Sequence, residues 1–271
     1  MAYRVHPYKW ATIGKEIKHI EDATMEDVKS FFAKHYNPSN AILCVGGNFE
    51  LEYVKEVVEK WFGEIPSGSK PARVLEAEPE QKEFREKLIE RNVPADAFYY
   101  AFKMPERKNA GYYMADVLSD ALGRDKSSRL YASLKKEQKL VSEIGAYITG
   151  SLDNGLLIIG GKLNEGVSFN MFDKALWEVL EKLKNEIMDD TELDRLMIKI
   201  RTAREFQEQG LLNRAMNLCQ FELLGDANGI NEEHEIYYSI TPKDVQRMAK
   251  EILKPTNCSL LKVKSNQNAE S

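Results

Sequence analysis

The chain has 271 residues, 43% of them apolar by type and 30% charged, enough for one large domain or a domain and a half. Its formal net charge is -5, from 38 basic and 43 acidic residues interspersed along the chain, which excludes the basic stripe that nucleic-acid binding needs. The longest apolar stretch, Gly155 to Gly160, has the length of a strand and falls far short of the roughly 18 residues of a membrane span.

The segment Ala23 to His35 predicts an amphipathic helix, with Thr24 as N-cap, acids in the first turn and apolar residues at Val28, Phe31 and Phe32. Asn37-Pro38-Ser39-Asn40 breaks it, Ala41 to Val45 predicts a short strand, and Leu51 to Phe62 a second helix. From Ile65 to Pro79 the prolines Pro66, Pro71 and Pro79, with Gly68, are spaced so that no regular element persists. Beyond this break, Glu83 to Asn92 and Ala97 to Met104 predict strands, and Ala110 to Leu122 and Ser127 to Glu137 predict helices. Ile144 to Thr149 and Leu156 to Leu163 predict a strand pair around Asp153-Asn154-Gly155. Long helices follow at Asn170 to Asp189 and Thr191 to Leu224, then a helix from Thr241 to Leu253, a Lys254-Pro255 break and a strand from Cys258 to Val263.

That last stretch repeats the first. At an offset of 217, Thr24 meets Thr241, Asp27 meets Asp244, Val28 meets Val245, Pro38 meets Pro255, Asn40 meets Asn257 and Leu43 meets Leu260, without a gap. Six identities in 20 positions compare with roughly one expected for unrelated residues of average composition. The repeat predicts residues 1–65 as the end of a first copy, 66–82 as a linker and 83–271 as a complete second copy. It also predicts that on the order of 130 residues of the first copy lie upstream, since a compact domain needs its opening elements to form a core.

Cys44, Cys219 and Cys258 form no C-x-x-C pair and predict small core residues, neither a disulfide framework nor a cysteine zinc site. Glu232-Glu233-His234-Glu235 predicts a solvated polar loop, and His6, in an apolar-aromatic string with Tyr8 and Trp10, a packed, hydrogen-bonded ring. Arg129 follows Ser127-Ser128 without a glycine-rich phosphate cradle, so capping and packing are expected of it. Lys135, Lys136 and Lys139 read as a solvated helix face, with lining of a substrate chamber as the alternative.

Several of these strings resemble one family. His6-Pro7-Tyr8-Lys9-Trp10, Thr12-Ile13-Gly14, Tyr36-Asn37-Pro38 and Gly47-Asn48-Phe49 are similar to the end of the first domain of pitrilysin/insulinase-type zinc peptidases, especially the smaller bacterial members and mitochondrial processing peptidase. Gly123, Ser127-Ser128-Arg129-Leu130-Tyr131, Leu134 and Lys139-Leu140-Val141 are similar to the start of the second domain. The resemblance implies an α+β fold: tandem homologous domains, each a mainly antiparallel sheet with helices on one face, whose two halves enclose a chamber for short or unfolded peptides. It points to a bacterial source and leaves the compartment open, suggesting the cell envelope or periplasm and otherwise the cytoplasm.

Catalysis in that family needs H-x-x-E-H on a helix: two His four residues apart share one ion, and the Glu polarises its water. The four His here, His6, His19, His35 and His234, provide no such pair. The matching helix, Ala110 to Leu122, offers Tyr112, Tyr113, Met114, Val117 and Leu118 instead. The resemblance therefore implies the metal-free, non-catalytic part of such a peptidase, with no cofactor of its own and zinc in an upstream catalytic domain. The family's substrate-holding string, L-R-x-x-x-x-L-x-Y, falls on Leu134 to Ser142, where Lys135 replaces the Arg and Ser142 the Tyr. Lys loses the planar donor fork and Ser the reach of a phenol, so a homologous partner subunit is expected to supply that pair. The alternative function is a scaffold or assembly subunit of the same fold, like the core proteins of a respiratory complex; an unrelated small-ligand-binding domain gains nothing from these motifs.

Overall fold

The computed structural model describes residues 1–266, so the last five residues of the expected second copy lie outside it. Its helices are α1 (Lys18–Glu21), α2 (Met25–His35), α3 (Leu51–Phe62), α4 (Ala110–Gly123), α5 (Phe169–Asn185), α6 (Asp190–Glu208), α7 (Leu211–Leu224), α8 (Gly229–Tyr238) and α9 (Pro242–Ile252). The strands are β1 (Arg85–Arg91), β2 (Ala97–Lys103), β3 (Val141–Ile148), β4 (Leu156–Leu163) and β5 (Cys258–Ser265). The chain forms two compact units, one made of Met1–Arg4, Glu78–Arg201 and the residues from His234 onward, the other of Val5–Ala77 and Thr202–Glu233.

The first unit is α+β, as expected. Its strands run in the order β1-β5-β2-β4-β3, with β1 parallel to β5 and every other pairing antiparallel. Alternation places Phe98, Tyr100 and Phe102 of β2 on the same face as Leu157 and Ile159 of β4 and Leu260 of β5, and all six are buried. Against this face lie helices with matching apolar stripes. In α5 the stripe is Phe172, Leu176, Leu180 and Leu183; in α9 it is Val245, Met248, Ala249 and Ile252. The end of α4 meets β3 so closely that a side chain on Gly123 would stand 2.1 Å from the backbone nitrogen of Ala146, which only glycine permits.

One charged cluster sits among these apolar residues. The Lys262 ammonium lies 2.8 Å from both Glu86 of β1 and Asp173 of α5, and the Tyr100 hydroxyl donates to the same Asp173. Every buried charge there has a partner, so the cluster pins α5 to the sheet.

In the second unit the Thr24 side chain accepts from the Asp27 N–H and Asp27 accepts in return from the Thr24 N–H, a reciprocal capping box that starts α2. The same box opens α9 through Thr241 and Asp244. The likeness continues to the far end, where Asn40 Nδ2 donates to the His35 carbonyl at 2.9 Å and Asn257 Nδ2 donates to the Ile252 carbonyl at 2.9 Å. A single turn of 3-10 helix follows each, Pro38–Asn40 and Pro255–Asn257.

The expected strand at Ala41 to Val45 does not form, because a strand needs a paired neighbour and no strand among the described residues lies beside it. The helix expected from Thr191 to Leu224 is two helices, interrupted where Gly210 adopts an extended backbone as the N-cap of α7. The helix expected from Ser127 to Glu137 starts only at Arg129, after a turn at Ser127 and Ser128, and is wound as a π-helix over Tyr131–Glu137. Glu232 to Glu235 is helical rather than a loop: Ile230 and Tyr237 give α8 an apolar side, and Glu233 pairs with Arg204 at 2.9 Å. Of the cysteines only Cys258 is buried; Cys44 and Cys219 are half-buried and line an apolar groove of about 500 Å³ with Ile42, Leu212, Met216 and Leu223.

Candidate functional site

Helix α4 occupies the place where the family resemblance puts a metal site in an active copy. Asn109 caps it by accepting from the Gly111 N–H at 2.8 Å. Val117 and Leu118 point into the core with no exposure, and Met114 Sδ meets the Arg247 guanidinium at 3.5 Å. Tyr112 and Tyr113 carry the Arg107 guanidinium over their rings, at 4.5 and 5.0 Å from the centroids. These groups do not fit a zinc ion, which takes His, Cys or carboxylate donors, and no cluster of three such residues among the described ones could hold a metal.

The carboxylates that α4 does carry, Asp116 and Asp120, serve packing. Tyr237 of α8 donates its hydroxyl to Asp116 Oδ2 at 2.6 Å, and its ring stands edge-on to Tyr113 at 5.2 Å. Arg124 donates to Asp120 Oδ2 at 2.7 Å. Burial, and next the nearby charge of Asp116, push the Asp120 carboxyl from an ordinary 3.8 up to about 6, against the opposing pull of Arg124 and Lys199. The signal of this pair in the sequence is the spacing of four residues, which puts both carboxylates on one helix face.

Lys135 and Ser142 lie in the most irregular stretch of the first unit. The π-helix closes with the Gln138 N–H on the Ser133 carbonyl at 2.9 Å, and the Leu140 N–H then reaches the Leu134 carbonyl at 2.8 Å. Lys139 between them has φ 53, an unusual left-handed position for a residue with a side chain. Asn164 supports the turn by donating its side-chain amide to the Lys139 carbonyl at 2.7 Å. The β3–β4 register then slips between Val141 and Glu143, leaving Ser142 as a bulge residue with its hydroxyl 3.4 Å from the Lys162 carbonyl. Lys135 is half-buried, its ammonium 5.2 Å from the centroid of the Tyr131 ring. Lys135 and Ser142 share no hydrogen bond; the neighbour of Lys135 is instead Tyr131, one helical turn earlier, a pairing that the family string does not imply.

On another side of the π-helix is a cleft of about 670 Å³ bounded by the start of α6 and the end of α5. Arg129 spans its floor with two bonds to Glu192, at 3.0 and 2.7 Å, so the packing role expected of it is the one it has. His6 is likewise a buried ring, accepting from the Tyr8 N–H and edge-on to the Tyr8 ring at 4.2 Å.

A mainly antiparallel sheet backed by helices on one face, with apolar side chains at the positions a metal helix would use, defines a peptidase-like domain without its own metal donors. The sequence pattern of the family described as the peptidase M16 inactive domain matches residues 22–200, and the chain belongs to that family. It is 27% identical over 268 residues to zinc protease PqqE of Helicobacter pylori, an alignment that takes in 97% of this chain and 60% of that protein. The crystal structure of a protease from Helicobacter pylori superposes with a TM-score of 0.88 at 25% identity, covering 97% of this chain and 64% of that one. The peptidase M16 inactive domain from Pseudomonas fluorescens shares the fold, with a TM-score of 0.84 at 17% identity over 97% of this chain and 62% of its own. The chain thus spans about three-fifths of the length of the relatives it matches.

Proposed function

We propose that this chain is the non-catalytic portion of a zinc-dependent peptidase that encloses short or unfolded peptides in a chamber, the zinc being held by a homologous half upstream. In this reading residues 1–65 end the zinc-bearing repeat, 66–82 link the halves, and 83–271 are the complete inactive repeat. The observation that carries it is the filling of α4: Val117 and Leu118 are fully enclosed where donors would stand, while the chain belongs to a family whose description names an inactive peptidase domain. The sheet face opposite the helices supports a wall role, since Tyr99 and Tyr147 project from it and are exposed. Lys135 and Ser142 are the candidate contacts to a peptide backbone; an Arg and Tyr from a homologous partner subunit would complete them. A hydrated ammonium and a short hydroxyl hold a carbonyl less firmly than a guanidinium fork and a phenol.

Zinc content and hydrolysis of an unfolded peptide, measured on this chain and on the full-length gene product, test the reading. The chain alone should retain no zinc and cleave nothing, and the full-length product should do both. Stoichiometric zinc in the chain alone would overturn it. The scaffold alternative predicts that the upstream sequence lacks H-x-x-E-H and that the full-length product is inert.

A further inference from the structure

The cleft of about 670 Å³ beside the π-helix takes no part in the role proposed above. Helical spacing builds its three walls. Arg129, Ala132, Ser133 and Glu137 share one side of the winding that begins at Arg129, Val179, Lys182 and Glu186 one side of α5, and Glu192 and Arg195 one side of α6. Since α5 packs on the helix-covered face of the sheet, the cleft lies on the opposite side from Tyr99 and Tyr147.

Most of the charges around it are partnered. Arg129 holds Glu192 through two bonds, the Lys182 ammonium stands 3.8 Å from Glu186, and Asp189 accepts from the Glu192 N–H at 2.7 Å. Two are left over: the Arg195 guanidinium on α6 and the Glu137 carboxylate on the π-helix are exposed, and their side chains have no ion pair or hydrogen bond among the described residues. A single unpaired surface charge is ordinary, but these two are of opposite sign and stand on different walls of one cleft, above the apolar side chains of Ala132 and Val179.

That arrangement selects a ligand by charge. The lining carries four carboxylates and three cations, which favours neither a polyanion such as a nucleotide nor a polyamine. A zwitterion suits it: a carboxylate meets the planar fork of Arg195, and an ammonium meets Glu137. The volume falls within the range of ordinary ligand pockets, about 300–1,000 Å³, and is more than a single amino acid fills. We infer that the cleft binds short peptides with both termini free, about three residues long, the carboxyl end at Arg195, the amino end at Glu137 and small apolar side chains over Ala132 and Val179. The site stands on this chain's own residues and goes beyond the chamber reading. Glu137 ends the same π-helix that carries Lys135, so a bound peptide braces the winding that aims that ammonium.

Calorimetric titration of this chain with trialanine tests it, beside N-acetylated trialanine, C-amidated trialanine and free alanine. Trialanine should bind one-to-one with a Kd below about 1 mM, and removing either terminal charge, or shortening to alanine, should weaken binding at least about tenfold. Glu137→Gln should bring trialanine down to the affinity of the acetylated peptide while keeping the discrimination against the amidated one, and Arg195→Gln should do the reverse. Both side chains are exposed, so neither variant should move the thermal midpoint by more than about 2 °C. No binding, equal binding of all four probes, or discrimination that survives unchanged in both variants would each overturn the inference. An inert full-length product would instead sink the peptidase reading and leave this pattern of binding standing.

Discussion

Helix α2 with its proline turn and helix α9 with its own are near-duplicates in local geometry and opposites in burial. Both begin with a Thr-Asp capping box and end with an Asn side chain bonded to the helix's last carbonyl. One presents phenylalanines to solvent, and the other encloses its methionine and valine completely. The contrast separates two contributions usually confounded. Short-range bonds determine where a helix starts and stops, while the stabilisation from its apolar stripe depends on what the rest of the polypeptide brings to it.

The comparison is broken most forcefully by placing a charge at equivalent positions. Val245→Asp puts an unpaired carboxylate into a fully closed site and should cost more than about 4 kcal/mol or prevent folding, as read by urea denaturation. Val28→Asp in the same chain should stay within about 0.5 kcal/mol. A large effect at Val28 would mean that its stripe is covered after all.

A smaller effect belongs to the covered copy alone, through Asp120 on the helix that packs on α9. Its carboxyl is raised to about 6 in the folded state against an ordinary 3.8, so the folded state binds the proton more tightly. Its contribution is then most favourable below about pH 4 and is lost as pH rises towards 6 and above. Asp120→Asn should therefore stabilise the chain by about 2–3 kcal/mol at pH 7.5 and by almost nothing at pH 4, in urea titrations at the two values. Equal effects at both would remove burial as the cause.

The gentlest test sharpens the likeness instead. Thr241→Ala should cost about 1 kcal/mol by loss of the cap. Thr24→Ala should fray the first turn of α2 in the same sense, seen as faster exchange at the Asp27 and Val28 amides. Insensitivity at one site alone would show that the capping boxes are not equivalent.

What the sequence reveals and what it hides follow the same division. The limits of α3 at Leu51 and Phe62 and of β4 at Leu156 and Leu163 are legible, since a helical apolar pattern and a short continuous apolar run end there against Gly63, Gly155 and Asn164. The capping boxes are legible for the same local reason. The parallel pairing of β1 with β5 is not, because it joins residues some 170 positions apart through pattern-free backbone bonds. Ala41 to Val45 has a strand's composition, but only a neighbour could make it one. At the candidate site the Leu134 to Ser142 string could be found by resemblance, yet neither the left-handed turn at Lys139 nor the bulge at Ser142 carries a glycine to announce it.

The winding of Tyr131–Glu137 has an evolutionary corollary. A π-turn accommodates one residue more than an ordinary α-turn, so it is the natural trace of a single-codon insertion tolerated without breaking the helix. Deleting one codon there would tighten the coil and swing Lys135 by about 100° around the axis, the step of one residue. The direction in which this family member aims its ammonium is thus adjustable in frame, by length rather than by substitution, with the sheet beneath left alone.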